Sequence, residues 1–158
     1  LAQGLPVVLD GISMGCTTVL LATELDLPDQ VKAVVADCGF TSAWEQIKHS
    51  IKSNMRLPAF PSLYLVSLFA RIFAGIRLRG CDTRKAMEKN TTVPVFFATG
   101  TRDRVVPPEM TKQNYEACRA PKMLLLTEAA HGMSYLAAKA EYEKQLEDFL
   151  EGCLKQID

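Results

Sequence analysis

A serine lies between two glycines near the start of the chain, in the stretch Gly11-Ile12-Ser13-Met14-Gly15. This G-x-S-x-G spacing is typical of a sharp turn that exposes a nucleophilic serine between a strand and a helix. We expect glycine at both flanking positions because a side chain at Gly11 or Gly15 would collide with the neighbouring strand and helix. The backbone N–H of Met14 would face the same space, where it could help to bind an oxyanion.

A serine hydroxyl is a weak nucleophile until a base takes its proton, and the chain has two histidines, His49 and His131. Histidine titrates near neutral pH, so it can accept that proton and return it. We predict His131 as the base because it lies in a loop between an apolar strand and a glycine. His49 lies on a predicted helix, away from its apolar face, and is predicted to be a solvated helix residue.

A carboxylate that fixes the histidine tautomer and stabilises the imidazolium completes this chemistry. Asp103 is the predicted acid, and the order Ser13, Asp103, His131 is the one expected for this kind of serine turn. The alternatives are that Asp103 only forms a turn or pairs with a neighbouring arginine, or that Asp37 is the acid. Asp10, just before the first glycine, is expected to make structural hydrogen bonds.

Strands alternate with helices along the chain, which predicts a parallel sheet with the chemistry at the carboxyl ends of its strands. The predicted strands are Val7–Leu9, Val31–Ala36, Val93–Ala98 and Lys122–Leu126. The predicted helices are Met14–Glu24, one that begins at Ser42 with Glu45 completing a capping box, Ser62–Ala74, a short one after Asp82, Glu109–Cys118 and Tyr135–Gln156. On the first insertion helix, an apolar face is predicted from Trp44, Ile47, Ile51 and Met55.

The helix-rich segment between the second and third strands contains a long apolar region, from Leu57 to Ile76. Two prolines and Arg71 interrupt this region, so it falls short of a membrane span, and we interpret it as a buried or lid helix. Its Leu, Phe and Ile side chains predict either a hydrophobic acyl or aryl pocket or simple packing of the segment onto the sheet.

Composition narrows the class of function. The 158 residues, 48% of them apolar, suit one domain with a core, and the net charge of zero gives no electrostatic reason to bind nucleic acid or an anionic membrane. The five cysteines are odd in number and form no C-x-x-C, which argues against a disulfide framework or a zinc site. We expect small core residues in a reducing, cytoplasmic compartment. Cys38 ends a strand near the predicted site, and no cofactor or metal cluster is visible in the sequence.

Three stretches together resemble serine α/β-hydrolases: residues 9–15, the Gly-x-x-Asp-x-x-Val-Pro run Gly100–Pro107, and Ala130-His131-Gly132. They are most similar to bacterial esterase- and lysophospholipase-like members, and more distantly to prolyl-oligopeptidase-type peptidases. The resemblance implies that Ser13 is the nucleophile, His131 the base and Asp103 the acid. It also implies a hydrolase core of residues 1–42 and 91–158, with helices on both faces of the sheet, and a helical lid or cap of residues 43–90.

Full members of this family have further strands and helices before the strand that carries the serine. We therefore expect these residues to be the C-terminal portion of an α/β-hydrolase fold. The preceding segment would supply the second oxyanion donor and would pair with the first strand, which is otherwise an exposed edge. A second copy of the chain is the other way to complete the sheet.

The leading hypothesis is hydrolysis of a small-molecule ester through an acyl-enzyme on Ser13. A peptidase or thioesterase would use the same three residues, because the bond cleaved depends on the shape of the pocket. A non-catalytic binding module with the hydrolase fold, or an inactive fragment, is the alternative from another class. Serine rather than aspartate at position 13 argues against dehalogenase-type chemistry.

Overall fold

The computed structural model describes residues 4–154, which form a four-stranded sheet with helices around it. The strands are β1 (Val7–Ile12), β2 (Val31–Asp37), β3 (Val95–Gly100) and β4 (Lys122–Thr127). The helices are α1 (Met14–Ala22), α2 (Ala43–Ser53), α3 (Ala59–Ala74), α4 (Thr83–Lys89), α5 (Pro108–Ala117), α6 (Ser134–Ala137) and α7 (Lys139–Leu154). The strands lie in the order β1-β2-β3-β4, and all neighbours are parallel. The predicted α/β fold with a parallel sheet is confirmed.

Helices cover both faces of the sheet. Successive side chains of a strand point to opposite faces, so the strands contribute to two separate core clusters. Val34 and Phe97 belong to a core cluster with side chains of α1 and α4. Val35 and Phe96 belong to a second cluster, together with Phe149 of α7. β3 is buried along its whole length, as expected for a central parallel strand.

β3 begins at Val95, two residues later than predicted. The side chain of Asn90 donates to the carbonyl of Val93 at 2.8 Å and accepts the N–H of Val93 at 3.0 Å. Both main-chain groups of Val93 are thereby used in a turn, so the strand ladder starts after it. All four strands extend further toward their carboxyl ends than predicted, to Ile12, Asp37, Gly100 and Thr127.

Two helices end earlier or break where one continuous helix was predicted. α1 ends at Ala22 rather than Glu24, because the N–H groups of Thr23 and Glu24 bond three residues back, as in a 3₁₀ turn. The predicted helix Tyr135–Gln156 is divided at Ala138, whose φ of −136° and ψ of 45° are not helical. Position 156 lies outside the described residues.

The predicted insertion begins and ends with capped helices. The Ser42 hydroxyl accepts the N–H of Glu45 at 3.2 Å, but the Glu45 carboxylate binds Lys48 at 3.3 Å, so only half of the predicted capping box forms. Asp82 caps α4, as predicted, by accepting the N–H of Arg84 at 3.0 Å. α4 packs in the core through its buried Ala86 and Met87, while the predicted boundaries at residues 43 and 90 remain a prediction.

α3 packs on α2 and leaves most of its side chains in solvent. Leu63 is its buried residue, whereas Ile72 and Phe73 are 63% and 80% exposed. The interpretation of this segment as a buried helix packed on the sheet is therefore wrong. Met55, predicted on the apolar face of α2, lies beyond the end of that helix and is exposed. None of the helices within residues 4–154 combines the length and the hydropathy needed to cross a membrane.

Candidate active site

Ser13 occupies a sharp turn between β1 and α1. Its φ of 57° and ψ of −115° are strained for a residue with a side chain, and α1 begins at the very next residue. The N–H of Ser13 donates to the main-chain carbonyl of Asp37 at 2.9 Å, which ties the turn to the end of β2. This hydrogen bond to the neighbouring strand thus stabilises the strained conformation of Ser13.

The two glycines around this serine differ in what they contribute. A Cβ at Gly11 would lie 2.4 Å from the main-chain carbonyl carbon and oxygen of Gly15, so the predicted collision is confirmed there. A Cβ at Gly15 would meet no atom within 4 Å, so the predicted collision at that position is wrong. The close approach is between the side-chain position of Gly11 and the main chain of Gly15, which requires a glycine only at the first of them.

Three side chains from different loops meet above the carboxyl ends of the strands. The Ser13 Oγ lies 2.8 Å from Nε2 of His131, and Nδ1 of His131 lies 2.7 Å from Oδ2 of Asp103. Asp103 follows β3 and His131 follows β4, so the parallel sheet brings residues 118 and 28 positions apart into direct contact. With Nδ1 protonated toward Asp103, the lone pair of Nε2 faces the serine hydroxyl.

The two carboxylate oxygens of Asp103 have different partners, one in its own loop and one in the histidine. Its side chain is 0% exposed, and Oδ1 accepts the N–H groups of Val105 and Val106 at 2.8 and 2.9 Å. Oδ2 remains for His131. Asp103 can therefore both form the turn and face the histidine. The other alternative was a pair with a neighbouring arginine, but Arg102 pairs with Glu128.

The rival acid, Asp37, is buried beside the site but does not bond the histidine. Its Oδ1 accepts the hydroxyl of Ser134 at 3.1 Å. Burial raises the pKa of Asp37, while the bond from Ser134 opposes that rise. Asp10, expected to make structural hydrogen bonds, is exposed, and its carboxylate accepts no hydrogen bond from the described part of the chain.

The rival base, His49, contacts the acid loop and not the serine. Its Nε2 lies 3.2 Å from the carbonyl of Arg104, to which a protonated Nε2 donates. On the same helix, the Gln46 side chain donates to the carbonyl of Val105 at 2.8 Å. His49 is therefore more than a solvated helix residue, because α2 braces the loop that carries Asp103. The sequence carried no signal for these contacts between residues more than 50 positions apart.

Cys38 lies close to Asp103 and His131 and is fully buried with a φ of 47°. Its Sγ, a carboxylate oxygen of Asp103 and a ring nitrogen of His131 all lie within 4.8 Å of one another. This is the group of described residues whose ligand atoms come close enough to share a metal ion, but Asp103 and His131 use those atoms to bond each other. Burial, followed by the charge of Asp37, raises the pKa of the Cys38 thiol to about 12, so the thiol is neutral at pH 7.

The remaining cysteines are also free thiols, and their surroundings differ. Cys16 and Cys118 are buried, Cys153 is half-buried and Cys81 is exposed. The prediction of small core residues therefore holds for the buried ones and is wrong for Cys81.

α1 starts without a side-chain cap, since Ser13 makes no capping bond to it. The first N–H groups of a helix have no partner within the helix and carry partial positive charge. The N–H of Met14 is the first of them and follows Ser13 directly. A carbonyl oxygen that gains negative charge when Ser13 attacks its carbon would thus meet the positive end of α1.

Comparison with known proteins shows which family this sequence belongs to. A model of the FSH1 serine hydrolase family matches residues 9–133. The uncharacterized protein YqkD of Bacillus subtilis (strain 168) is 32% identical over 142 residues, which are 89% of this chain and 46% of that protein.

Solved structures show the same fold at low identity. The Pyrococcus furiosus esterase Pf2001 is similar with a TM-score of 0.66 and 21% identity, over 94% of this chain and 54% of that one. Acetyl xylan esterase 1 from Thermoanaerobacterium sp. JW/SL YS485 is similar with a TM-score of 0.54 and 20% identity, over 84% of this chain and 44% of that one. The chain thus spans about half the length of these relatives. Because the family model covers most of the chain, the protein belongs to the FSH1 serine hydrolases, and the resemblance to serine α/β-hydrolases is confirmed.

Proposed function

We propose that the protein hydrolyses carboxylic esters through an acyl-enzyme on Ser13, with His131 as the general base and Asp103 as the acid. The observation that carries this proposal is the unbroken line of short hydrogen bonds from Ser13 to His131, at 2.8 Å, and from His131 to Asp103, at 2.7 Å. Two structures of the same fold are named as esterases, which supports an ester rather than another acyl bond as the substrate.

In the first half of the reaction, Oγ of Ser13 attacks the ester carbonyl carbon while Nε2 of His131 takes the hydroxyl proton. The negative charge passes to the carbonyl oxygen, and the N–H of Met14 binds it at the start of α1. Asp103 holds Nδ1–H and stabilises the imidazolium. When the carbon–oxygen bond to the alcohol breaks, Nε2–H protonates the leaving oxygen, and the acyl group stays on Ser13.

In the second half, a water molecule attacks the acyl carbon and gives its proton to Nε2 of His131. The bond from the carbon to Oγ of Ser13 then breaks, and Nε2–H returns the proton to the serine. The acid is released and the enzyme regains its starting state. One ester and one water are consumed and one alcohol and one acid are released, so the two halves together add water across the ester bond.

We propose an apolar acyl or aryl group in the substrate. Ile12 and Met14, on either side of the nucleophile, are 54% and 72% exposed, and Met133 beside the histidine loop is 44% exposed. These residues are near Ser13 and His131 along the chain and expose apolar surface, which suits a hydrophobic substrate better than a charged one.

The outer edge of β1 pairs with no other strand within residues 4–154. We propose that another strand, from elsewhere in the protein or from a second copy, pairs with this edge and that its side of the site supplies the second oxyanion donor. Intact mass and solution mass of the native protein distinguish the two sources. A monomer of 17.5 kDa with full activity would contradict both.

The five cysteines are free thiols, which supports the further proposal of a reducing, cytoplasmic location. Fractionation of cells that express the protein tests it.

A fluorophosphonate probe, which forms a covalent bond with an activated serine, tests the nucleophile. We expect the wild-type protein and the exposed control Ser53→Ala to be labelled, and Ser13→Ala to remain unlabelled. Absence of labelling in a folded wild-type sample would contradict a catalytic site and favour a binding module.

Turnover of an aryl ester, an aryl thioester and an anilide with the same acyl group tests the bond and the base together. We expect the ester to be cleaved fastest, with His131→Gln inactive and His49→Gln close to wild type. Faster cleavage of the anilide or thioester would assign the protein as a peptidase or thioesterase with the same three residues.

A further inference from the structure

In α3 the large apolar side chains are exposed and the small ones face the protein, which is the opposite of the usual arrangement in a helix packed on a core. Its less exposed positions carry mainly small side chains, namely Ala59, Ser62, Leu63, Ser67 and Ala70. Its large apolar side chains point into solvent: Tyr64, Leu65, Leu68, Phe69, Ile72 and Phe73 are each about half exposed or more. A contiguous apolar surface of this kind marks a face that binds something.

The segment that carries this face has charges of one sign, between Glu45, which pairs with Lys48, and Asp82. Residues 46–81 contain no aspartate or glutamate but six cations, which are Lys48, Lys52, Arg56, Arg71, Arg77 and Arg79. Arg56 precedes α3, Arg71 lies in its last turn, and Arg77 and Arg79 follow its end. Within residues 4–154, no salt bridge joins Arg56, Arg71 or Arg77 to a carboxylate. The zero net charge of the whole chain conceals this local excess.

We propose that α3 and its flanking arginines bind the surface of an anionic phospholipid bilayer. Aromatic and aliphatic side chains on one face, with arginines at both ends, are the features that hold a helix in the interface of such a bilayer. Phe60 of α3 has non-helical angles, and the continuous helix after it, residues 61–74, is about 21 Å long, which is shorter than the hydrocarbon core of a bilayer, so it lies along the surface.

A second copy of the chain fits this face less well. A symmetric dimer would set the same surface against itself, and so would bring the arginines of both copies together. Residues 46–81 offer no carboxylate to neutralise them. Anionic headgroups supply the missing negative charge, and acyl chains cover the apolar side chains.

Aromatic and cation–π contacts with Trp44 of α2 fix the position of α3 on the rest of the protein. The rings of Tyr64 and Trp44 meet edge to face at 5.5 Å, and the guanidinium of Arg79 lies 3.8 Å above the ring of Trp44. Gln46, on the same helix as Trp44, bonds the loop of Asp103. The proposed membrane contact therefore has a defined position relative to the candidate active site, but it does not depend on the proposed hydrolysis.

Sedimentation of the full-length protein with phospholipid vesicles tests the proposal. We expect binding to vesicles of phosphatidylcholine with phosphatidylglycerol and far weaker binding to phosphatidylcholine alone. Arg71→Gln and Arg77→Gln should each weaken binding about fivefold, and Phe73→Ser about tenfold or more. The matched controls on exposed surface elsewhere, Lys144→Gln and Leu25→Ser, should bind as the wild type does.

Activity on a water-soluble aryl ester, with a thermal melt, shows that each variant is folded, and both should be unchanged. Equal binding to the two kinds of vesicle, or equal binding of all variants, would overturn the proposal. So would absence of binding with a dimer that Phe73→Ser dissociates, since a second copy would then cover the face. Absence of binding by a monomer that Phe73→Ser destabilises would also overturn it, in favour of a segment of the same protein.

Discussion

Substitution of Asp103 by asparagine changes the chemistry of the site while keeping the shape of the side chain. The Oδ1 of Asp103 accepts the N–H groups of Val105 and Val106 at 2.8 and 2.9 Å, so the asparagine carbonyl must take this position. The amide NH₂ then faces Nδ1 of His131, where the carboxylate oxygen lies 2.7 Å away. Two donors cannot face each other, so His131 moves its proton to Nε2, and Ser13 loses its base.

The magnitude follows from this change of tautomer. We expect kcat to fall about 10⁴-fold, as for the equivalent change in other triads, which corresponds to about 5 kcal/mol of activation free energy. The fold should stay intact because both main-chain bonds to the side chain are retained. Asp103→Ala would instead leave the buried N–H groups of Val105 and Val106 without a partner, at a cost of about 1–3 kcal/mol of folding free energy for each.

Steady-state hydrolysis of an aryl ester, with a thermal melt of each variant, is the assay. Asp37→Asn is the matched control, because the Asp37 carboxylate bonds Ser134 and not His131, and its kcat should change by less than about tenfold. If Asp103→Asn kept kcat within about tenfold of wild type while Asp37→Asn lost more, the acid would be Asp37 and the reasoning from hydrogen-bond geometry would be refuted.

Three further predictions concern stability. Gly11→Ala should lower the free energy of unfolding by about 3 kcal/mol, because its Cβ would lie 2.4 Å from the main chain of Gly15, whereas Gly15→Ala should be neutral or stabilising; urea unfolding of both compares them. Burial raises the pKa of Asp37 above its ordinary value of 3.8, so ionisation of this carboxylate destabilises the fold as the pH rises above that value. Asp37→Asn should therefore melt higher than wild type at pH 7, and the difference should vanish below pH 3.8, which a series of melts across pH checks. Thr83→Val should cost about 1–3 kcal/mol by removing the buried 2.6 Å bond to Asn114, while Thr83→Ser should keep it; equal loss in chemical denaturation of both would contradict this.

Local features of this protein could be predicted from the sequence because they depend on residues a few positions apart. Ser42 and Asp82 were placed correctly at the starts of helices, since each bonds an N–H group within three residues. The alternation of strands and helices followed from the spacing of apolar residues. The boundaries that were wrong, at Val93 and Ala138, depend on one side chain that bonds a turn and on one residue with non-helical angles.

The sequence by itself determined which residue types are available for the chemistry, and their order along the chain. It predicted Asp103 rather than Asp37 as the acid from the order of motifs, but the contact between the Asp103 carboxylate and His131 depends on the positions of two loops, which no local pattern fixes. It predicted Cys38 near the site, but it did not reveal that α2 braces the loop of Asp103 or that the apolar face of α3 points outward. These depend on which surfaces of distant elements pack together, and that is a property of the tertiary structure alone.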